Sequence, residues 1–428
     1  MIIGIPRETR PGELRVAMTP TNVAYWTEKN VQFLVQQDAG SAAGFADADY
    51  TSAGASVVKE RTEVFAQADI VMQVQSFGAN TVNGDDDLSL VKAGQVIAGM
   101  MDPLGNSEVA NTVAKTKATA IAMELVPRIS RAQSMDVLSS MATLAGYKAV
   151  LIGAAAAPRI MPMLMTAAGT LQPMRTLIMG VGVAGLQACA TAKRLGGVVE
   201  AYDVRPAARE QILSVGAKPV ELDLETESSE GAGGYAKEQS AEFLQRQQEL
   251  MTEVLAQQDL VITTAAVPGA KSPILVTTDM VKAMKPGAVI VDLAAERGGN
   301  CELTELGKTV VKHGVTIIGP ENLAATVATH GSEMYGKNME TLLGHIIDED
   351  GNLKLDFEDE IIYSTVIAHD GDVPHTMMRD RLGLPALEVA APEEVATPEK
   401  GTPATETTDS DTQNSDTSDI SNTKAGDA

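Results

Sequence analysis

Residues 174–185 have the sequence MRTLIMGVGVAG, an apolar run that leads into three glycines. Gly180, Gly182 and Gly185 have the spacing of a dinucleotide-binding turn between a strand and a helix. The first glycine permits the tight turn, the second lets a pyrophosphate approach the backbone, and the third lets the helix pack close to the strand. The same spacing also fits an ordinary strand–helix unit with a glycine turn.

The residues that follow the turn favour the dinucleotide site. A helical segment at 186–195 ends at two glycines, and the apolar run 198–202 ends at Asp203. An acidic residue at that strand end binds the adenosine ribose of the cofactor. Its carboxylate accepts a hydrogen bond from a free 2′-hydroxyl and repels a 2′-phosphate, which the nearby Arg205 would attract. Because Asp203 sits directly at the strand end, we expect NAD(H) rather than NADP(H).

The composition narrows the class of protein. The chain has 428 residues, 44% of them hydrophobic, which is enough for about two or three domains with sizeable cores. Its formal net charge of -24 argues against nucleic acid or an anionic membrane as the main partner. Two isolated cysteines and five scattered histidines predict neither a disulfide framework nor a metal site, which fits a reducing compartment.

The sequence predicts no membrane-spanning segment. The opening residues, MIIGIPRE, carry charge too early for a secretory signal. The longest apolar run, 149–157, is about half a membrane span, so we expect the chain not to cross a bilayer by itself. From residue 386 onward Pro, Thr, Ser and Asp dominate, with ten acids against two lysines. Such a composition cannot bury enough apolar surface to fold, so 386–428 is expected to be a disordered acidic tail.

Apolar runs alternate with helical segments, which predicts an α/β fold with mostly parallel sheets. The strands are expected at 1–5, 31–36, 69–74, 95–99, 118–123, 176–179, 198–202, 218–222, 260–264, 288–293 and 315–318. Long helices are expected at 131–157 and 332–347. The polar insertion 222–237 is too long for a simple connection, and it fits either a mobile functional loop or a variable surface loop.

A second informative stretch is 126–136, VPRISRAQSMD, which joins a strand to the first long helix. Ser130 or Ser134 can cap that helix, with Asp136 favoured in its first turn by the helix dipole. Capping does not explain why the same loop also carries two arginines and a glutamine. Fixed donors for anionic groups beside a carboxamide suit a nicotinamide nucleotide. The residues that could supply them are Arg128, Arg131 and Gln133.

These motifs resemble the alanine dehydrogenase/pyridine nucleotide transhydrogenase family. The segments GIPRE at 4–8 and ELRVA at 13–17 carry the general resemblance, together with Thr19-Pro20. The run 126–136 is more specific and is similar to the NAD(H)-binding domain of proton-translocating transhydrogenases. The other segments that share this similarity are 234–237, 291–294 and 298–301. The resemblance covers about residues 1–380 and leaves out the tail.

The resemblance implies an architecture and a domain division. It implies two Rossmann-like, doubly wound parallel-sheet domains joined by two long helices. We expect an N-terminal α/β domain at 1–140, completed by 331–384, and an NAD-binding domain at 141–330. It also implies a homodimer. At 322–327 the sequence NLAATV replaces a proline-serine-arginine turn common in the family, so the second long helix is expected to start differently here.

The resemblance also implies roles for single residues. Arg128, Gln133, Asp136 and Ser139 would orient the nicotinamide, with Gln133 bridging toward the NADP side, and Tyr235 would close a mobile lid over the nucleotide. These five are the expected catalytic residues. The expected cofactor contacts are Arg128, Ile129, Ser130, Arg131, Gln133, Asp136, Gly180, Val181, Gly182, Val183, Gly185, Asp203, Val204, Arg205, Gly234, Gln247 and Ala266.

The implied activity is hydride transfer from NADH to NADP⁺ held on a partner subunit, coupled to proton translocation by partner chains that span the membrane. The protein would align two nicotinamide rings and exclude water, because the cofactors carry the chemistry. We therefore expect a cytoplasmic subunit, peripheral on the cytoplasmic face of the inner membrane, that docks on membrane-spanning subunits and an NADP-binding domain. No nucleic-acid partner is expected.

Two other functions remain open at this stage. One is a soluble NAD-dependent alanine or amino-acid dehydrogenase, and the other is a non-catalytic NAD(H)-sensing module whose acidic tail recruits a partner. Gln75 and Met100-Met101 stand where alanine dehydrogenases have a pyruvate-binding lysine and a catalytic histidine, which argues against the first. Arg15 alone does not make an oxo-acid site, and we expect it to form a structural ion pair.

Overall fold

The computed structural model describes residues 1–222 and 241–387, without the side chains of 241–245 and 247. The strands are β1 (Ile2–Ile5), β2 (Gln32–Gln36), β3 (Ser56–Val58), β4 (Ile70–Gln75), β5 (Val96–Met100), β6 (Thr119–Ala122), β7 (Leu164–Thr166), β8 (Gly169–Leu171), β9 (Arg175–Met179), β10 (Val198–Tyr202), β11 (Lys218–Pro219), β12 (Leu260–Thr263), β13 (Val289–Asp292), β14 (Lys308–Lys312), β15 (Val315–Gly319) and β16 (Val366–Ala368). The helices are α1 (Pro20–Thr27), α2 (Asp47–Ser52), α3 (Arg61–Gln67), α4 (Gly84–Leu88), α5 (Glu108–Ala114), α6 (Val137–Ala156), α7 (Val183–Arg194), α8 (Ala208–Ser214), α9 (Ala241–Leu255), α10 (Thr278–Ala283), α11 (Ala328–Ile346), α12 (Glu360–Thr365) and α13 (Thr376–Leu382).

Two seven-stranded sheets form the framework, with the orders β16-β6-β5-β4-β1-β2-β3 and β11-β10-β9-β12-β13-β15-β14. In each, the chain begins at a central strand, winds outward to one edge, and then returns to fill the other side. This is the doubly wound order of Rossmann-like domains. The pairings are parallel except for β16 with β6 and β14 with β15. The predicted fold class is therefore confirmed for the described residues.

Burial explains which strands could be read from the sequence. β4, β12 and β13 are buried at every residue, and they appear in the sequence as continuous apolar runs. The strands that prediction missed are short or lie at an edge. β14 begins and ends with a lysine and is mostly exposed, a common protection of sheet edges. The other missed strands are β3, β16 and the two strands of the β7–β8 hairpin.

The long helices α6 and α11 link the two sheets. The first half of α6 contributes Val137 and Met141 to the core beside the first sheet, and its second half contributes Ala149 and Val150 to the core beside the second. A Cβ at Gly146 would lie 2.1 Å from the Ala184 carbonyl oxygen, so this glycine lets α6 cross close to α7. α6 therefore fixes the first sheet relative to the glycine turn that opens α7.

Both long helices begin at other residues than predicted. Ser130–Met135 form a 3₁₀ helix, and α6 begins only at Val137. Its cap is Asp136, whose Oδ1 accepts from the Ser139 N–H at 2.9 Å, so the expected cap at Ser130 or Ser134 was wrong. α11 begins at Ala328, after a 3₁₀ helix at Leu323–Val327.

α6 is also long and apolar enough to span a membrane by length and composition, with a mean hydropathy of 1.4. The same test is passed by core helices of soluble proteins, and residues of α6 belong to both cores described above. One such helix is weak evidence for a membrane span. The prediction that the chain does not cross a bilayer stays a prediction.

Several expectations lie outside the described residues. They concern the insertion beyond Leu222, with Gly234 and Tyr235, and the acidic tail beyond Leu387. The domain boundaries at 140/141 and 330/331 fall inside α6 and α11, and they stay predictions. The returning segment pairs β16 with β6, so it adds a strand to the first sheet.

Candidate functional site

The glycine turn lies at the carboxyl end of β9, where the strand order of the second sheet reverses between β9 and β12. Gly180 has a φ of +92°, a conformation that L side chains rarely adopt. A Cβ at Gly185 would meet the Gly180 carbonyl oxygen at 2.0 Å, so α7 packs directly on the turn. A Cβ at Gly182 would meet nothing within 4 Å. The three glycines thus have the geometry that a bound pyrophosphate requires.

Asp203 follows β10 and hydrogen-bonds the turn. Its Oδ2 accepts from the Val181 N–H at 2.7 Å, and its Oδ1 accepts from the Arg205 N–H at 2.9 Å. The Arg205 guanidinium donates to both oxygens at 2.9 Å and to the Val181 carbonyl at 3.1 Å. A carboxylate has about four acceptor sites, so a ribose hydroxyl must replace one of these donors. Asp203 and Arg205, which the sequence presents as rivals, form one ion pair.

The loop that holds Gln133 is anchored from below. Ala132 and Met135 are buried, whereas Gln133 is exposed. The Asn338 side chain on α11 donates from Nδ2 to the Ser134 carbonyl at 2.7 Å. Burial of every second or third residue therefore leaves the glutamine at the surface of a fixed loop.

Asp136 and Ser139 close the carboxyl side of this loop. Besides capping α6, Asp136 accepts from Ser139 Oγ at 2.6 Å. Arg131 is exposed and pairs through Nη1 with Asp359 Oδ2 at 2.5 Å. The hydrogen bond from Arg131 is the main reason that the pKa of Asp359 falls to about 2. These contacts give Asp136, Ser139 and Arg131 structural partners, while their expected roles toward a nucleotide stay predictions.

The other expected contacts have varied surroundings. Arg128 and Ser130 are exposed, and Ile129 packs partly buried against the first core. In the second domain Val183 is exposed, whereas Val204 packs against a core cluster. Ala266 is exposed in the loop after β12, and Gln247 lies on α9. Gly234 and Tyr235 lie outside the described residues.

Asp292 organises the loop beside Ala266, a role that sequence reasoning missed. The residue is fully buried at the end of β13, and its Oδ2 accepts from the Asn300 and Cys301 N–H groups at 2.8 and 3.0 Å. Asn300 in turn bonds both the N–H and the carbonyl of Ala265. The available signal was an apolar strand that ends in Asp and is followed by Gly-Gly-Asn.

A buried polar cluster lies where the first sheet meets the second domain. Arg15, which is 2% exposed, donates to both oxygens of Glu13 at 2.7 and 2.6 Å. Burial raises the pKa of Glu13, but the hydrogen bonds and charge of Arg15 outweigh it and leave the pKa below its usual range. Arg15 is thus in the expected ion pair. Gln75 and Asn322 donate to Glu13 Oε2 at 3.0 and 2.9 Å.

Asn322 explains the departure from the family turn. Its φ is +46°, a left-handed conformation that asparagine tolerates better than most residues. In this position its side chain reaches Glu13 and Arg15, and its N–H donates to Glu296 Oε1 at 2.6 Å. The departure therefore places a polar side chain in the contact between the two sheets' domains.

Two doubly wound domains with an open glycine turn at the switch point define a dinucleotide-binding α/β protein. Sequence profiles described as Alanine dehydrogenase/PNT, N-terminal domain, and Alanine dehydrogenase/PNT, C-terminal domain, match residues 4–145 and 149–376. The chain belongs to this family.

Similar proteins include an NAD(P) transhydrogenase subunit alpha protein of Rhodospirillum rubrum, 47% identical over 88% of this chain and 98% of that protein. The alanine dehydrogenase of Staphylococcus saprophyticus is 30% identical over 76% of this chain and 82% of its own length. The crystal structure of transhydrogenase from Sinorhizobium meliloti matches with a TM-score of 0.78 and 42% identity, covering 87% of this chain and all of that one.

Proposed function

We propose that this chain is the NAD(H)-binding subunit of a proton-translocating transhydrogenase and exchanges hydride with NADP(H) held on a partner subunit. One contrast carries the proposal: the dinucleotide turn is open at Gly182, while the region of a 2-oxo-acid site is filled by Glu13, Arg15 and Gln75. Family membership and the relatives named NAD(P) transhydrogenase subunit alpha support it.

The glycine turn fits the pyrophosphate of NAD(H). The space beside Gly182 admits a ligand to the backbone, and the first N–H groups of α7 with the helix dipole favour its negative charge. Asp203 would take the adenosine ribose after exchanging one donor of Arg205 for a hydroxyl. When bound, the nicotinamide supplies the hydride chemistry.

The loop of Arg128 and Gln133 would place the nicotinamide. Its buried anchors and the bond from Asn338 fix the backbone, so the exposed glutamine can orient a ring without losing much freedom on binding. Hydride exchange between two nicotinamide rings needs no proton donor on the protein. The absence of an imidazole and an ammonium at Met101 and Gln75 is therefore compatible with this reaction and incompatible with oxo-acid amination.

The remaining elements of the proposal concern assembly. A relative whose name makes it a subunit implies other subunits, so we place the NADP-binding domain and the proton pathway on membrane-spanning partner chains. This chain would act as a homodimer, peripheral on the cytoplasmic face of the inner membrane. The insertion around Tyr235 would serve as a lid over the nucleotide.

A soluble alanine dehydrogenase is the second candidate, because one relative at 30% identity has that name. The two functions separate in one assay series. The chain mixed with its partner subunits, NADH and NADP⁺ should form NADPH, and the isolated chain with pyruvate, ammonia and NADH should consume no NADH. Steady NADH oxidation in the second mixture would overturn the proposal. NADH binding without any NADPH formation in the first would instead indicate an NAD(H)-sensing module.

A further inference from the structure

A cavity of about 360 Å³ lies between α1 and α11 in the first domain. Its volume is within the range of small-molecule sites. Met135, the last residue of the 3₁₀ helix that carries Gln133, forms part of its wall. The cavity is therefore adjacent to the proposed nicotinamide loop but separate from the proposed nucleotide site.

One wall of the cavity combines two aromatic rings with a cation. Tyr25 and Trp26 pack edge to face with centroids 5.7 Å apart. The Lys29 ammonium lies 4.3 Å from the Tyr25 ring centroid and 5.0 Å from that of Trp26. Lys29 also donates to Tyr25 Oη at 2.8 Å. This arrangement holds a positive charge beside an apolar, planar surface.

The opposite wall adds a second cation. Lys337 pairs with Glu340, whose other oxygen accepts from Asn22 Nδ2 at 2.8 Å. Because Glu340 is engaged on both oxygens, its charge is largely offset. Two lysines at one cavity on a chain with a net charge of -24 form a local positive site.

Two further observations indicate that the cavity can accept a ligand. The Trp26 indole Nε1 is buried and has no hydrogen-bond partner among the residues that the structure describes. A ligand acceptor brought into the cavity would offer it one. A Cβ at Gly344, on the α11 wall, would meet nothing within 4 Å, so that wall leaves room for an occupant.

We propose that this cavity, formed by Tyr25, Trp26, Lys29, Met135, Lys337 and Gly344, binds a small planar organic anion, with a nucleoside monophosphate as its representative. The aromatic wall contacts the planar body, and the two ammonium groups bind the anionic group. The site is distinct from the glycine turn and from every residue assigned above to nucleotide binding.

The chain contains a single tryptophan, so its fluorescence reports on this cavity. The full-length protein, saturated with NAD⁺ to fill the glycine turn, is titrated with AMP, adenosine or inorganic phosphate. We expect saturable quenching by AMP, and about tenfold or weaker apparent affinity for adenosine and for phosphate, since each lacks one recognised feature. No saturable change with AMP, or equal affinity for all three probes, would overturn the proposal.

Gly344 provides the matched pair of variants. Gly344→Phe fills the cavity and should abolish the AMP signal, whereas Gly344→Ala adds one methyl in open space and should retain it within about twofold. Lys337→Gln leaves the cavity open and should weaken AMP binding about tenfold. Melting curves check that each variant is folded. If folded Gly344→Phe or Lys337→Gln binds AMP like the unaltered chain, the ligand lies elsewhere and the proposal fails.

Discussion

Asp203 and Arg205 illustrate what single residues add to the pattern of the sequence. The position of Asp203 at a strand end was enough to predict a ribose-binding acid, because strand ends are legible in apolar runs. Its partners were not predictable, because the path from Asp203 to Arg205 turns the guanidinium back onto the carboxylate and the glycine turn. The same holds for Asp292, whose partners come from a loop that only the fold brings back to it.

Removing the charge of Asp203 should weaken the choice between the two nicotinamide cofactors. In Asp203→Asn the amide keeps the shape, but it no longer repels a 2′-phosphate, and Arg205 becomes available to that phosphate. We expect the ratio of NADPH to NADH dissociation constants to fall by about tenfold to a hundredfold, as measured by isothermal titration. Glu221→Gln, which alters an exposed ion pair on the same domain, should leave the ratio unchanged. An unaltered ratio in Asp203→Asn would contradict the ribose assignment.

Two glycines of the turn should respond differently to alanine. Gly182→Ala places its methyl in open space, so the free energy of unfolding should change by less than about 0.5 kcal/mol, while NADH binding weakens at least about tenfold. Gly185→Ala forces its methyl onto the Gly180 carbonyl and should cost about 1–3 kcal/mol of stability. Urea unfolding and NADH titration of both variants provide the comparison. Equal effects on stability would show that the turn is not packed as described.

At the scale of elements, burial on both faces decided what the sequence could predict. The central strands and both long helices were located because their apolar patterns are continuous or periodic over enough residues. Short edge strands such as β14 and the 3₁₀ helix at Ser130–Met135 were missed or merged, since a few residues with mixed exposure carry no clear period. The expected cap was wrong for the same reason: three polar candidates lie within seven residues, and only Asp136 has the right backbone geometry.

Asn338 should matter for hydride transfer although it lies on α11, because it fixes the loop of Gln133. In Asn338→Leu the Ser134 carbonyl loses its donor, which should cost about 1–3 kcal/mol locally and loosen the loop. We expect slower hydride transfer in single-turnover mixing with the partner subunits, with NADH affinity changed by less than about threefold. His330→Ala, an exposed residue on the same helix, is the control. An Asn338→Leu protein with the rate of the control would exclude this positioning role.

At the scale of the whole molecule, the contact between the two domains is polar and was not predictable from local sequence. Glu13, Arg15 and Gln75 come from the first domain and Asn322 from the second, so only the tertiary structure shows that they form one cluster. Arg297 and Asp102 form a further ion pair across the same contact. The sequence identified Arg15 as a structural residue, but it could not identify the residue that pairs with it.

The cluster should make stability depend on pH through Glu8. Burial and the neighbouring Glu13 carboxylate raise the pKa of Glu8 to about 8. The folded chain therefore keeps a proton that the unfolded chain releases above its ordinary pKa of 4.5, so stability falls as pH rises from about 4.5 to 8. Glu8→Gln cannot titrate, and its unfolding free energy should gain on that of the unaltered chain by about 1–3 kcal/mol between pH 5 and 8.5. Parallel curves for the two proteins over this range would contradict the raised pKa.

The central claim is direct hydride exchange between two bound nicotinamides, and isotope transfer tests it most directly. The chain is mixed with its NADP-binding partner, NADP⁺ and NADH deuterated at the transferred position of C4, and the NADPH formed is analysed by mass spectrometry. The account predicts that the deuterium is retained in NADPH, and that Gln133→Ala slows its formation. Absence of NADPH, or NADPH whose hydrogen comes from water, would contradict it.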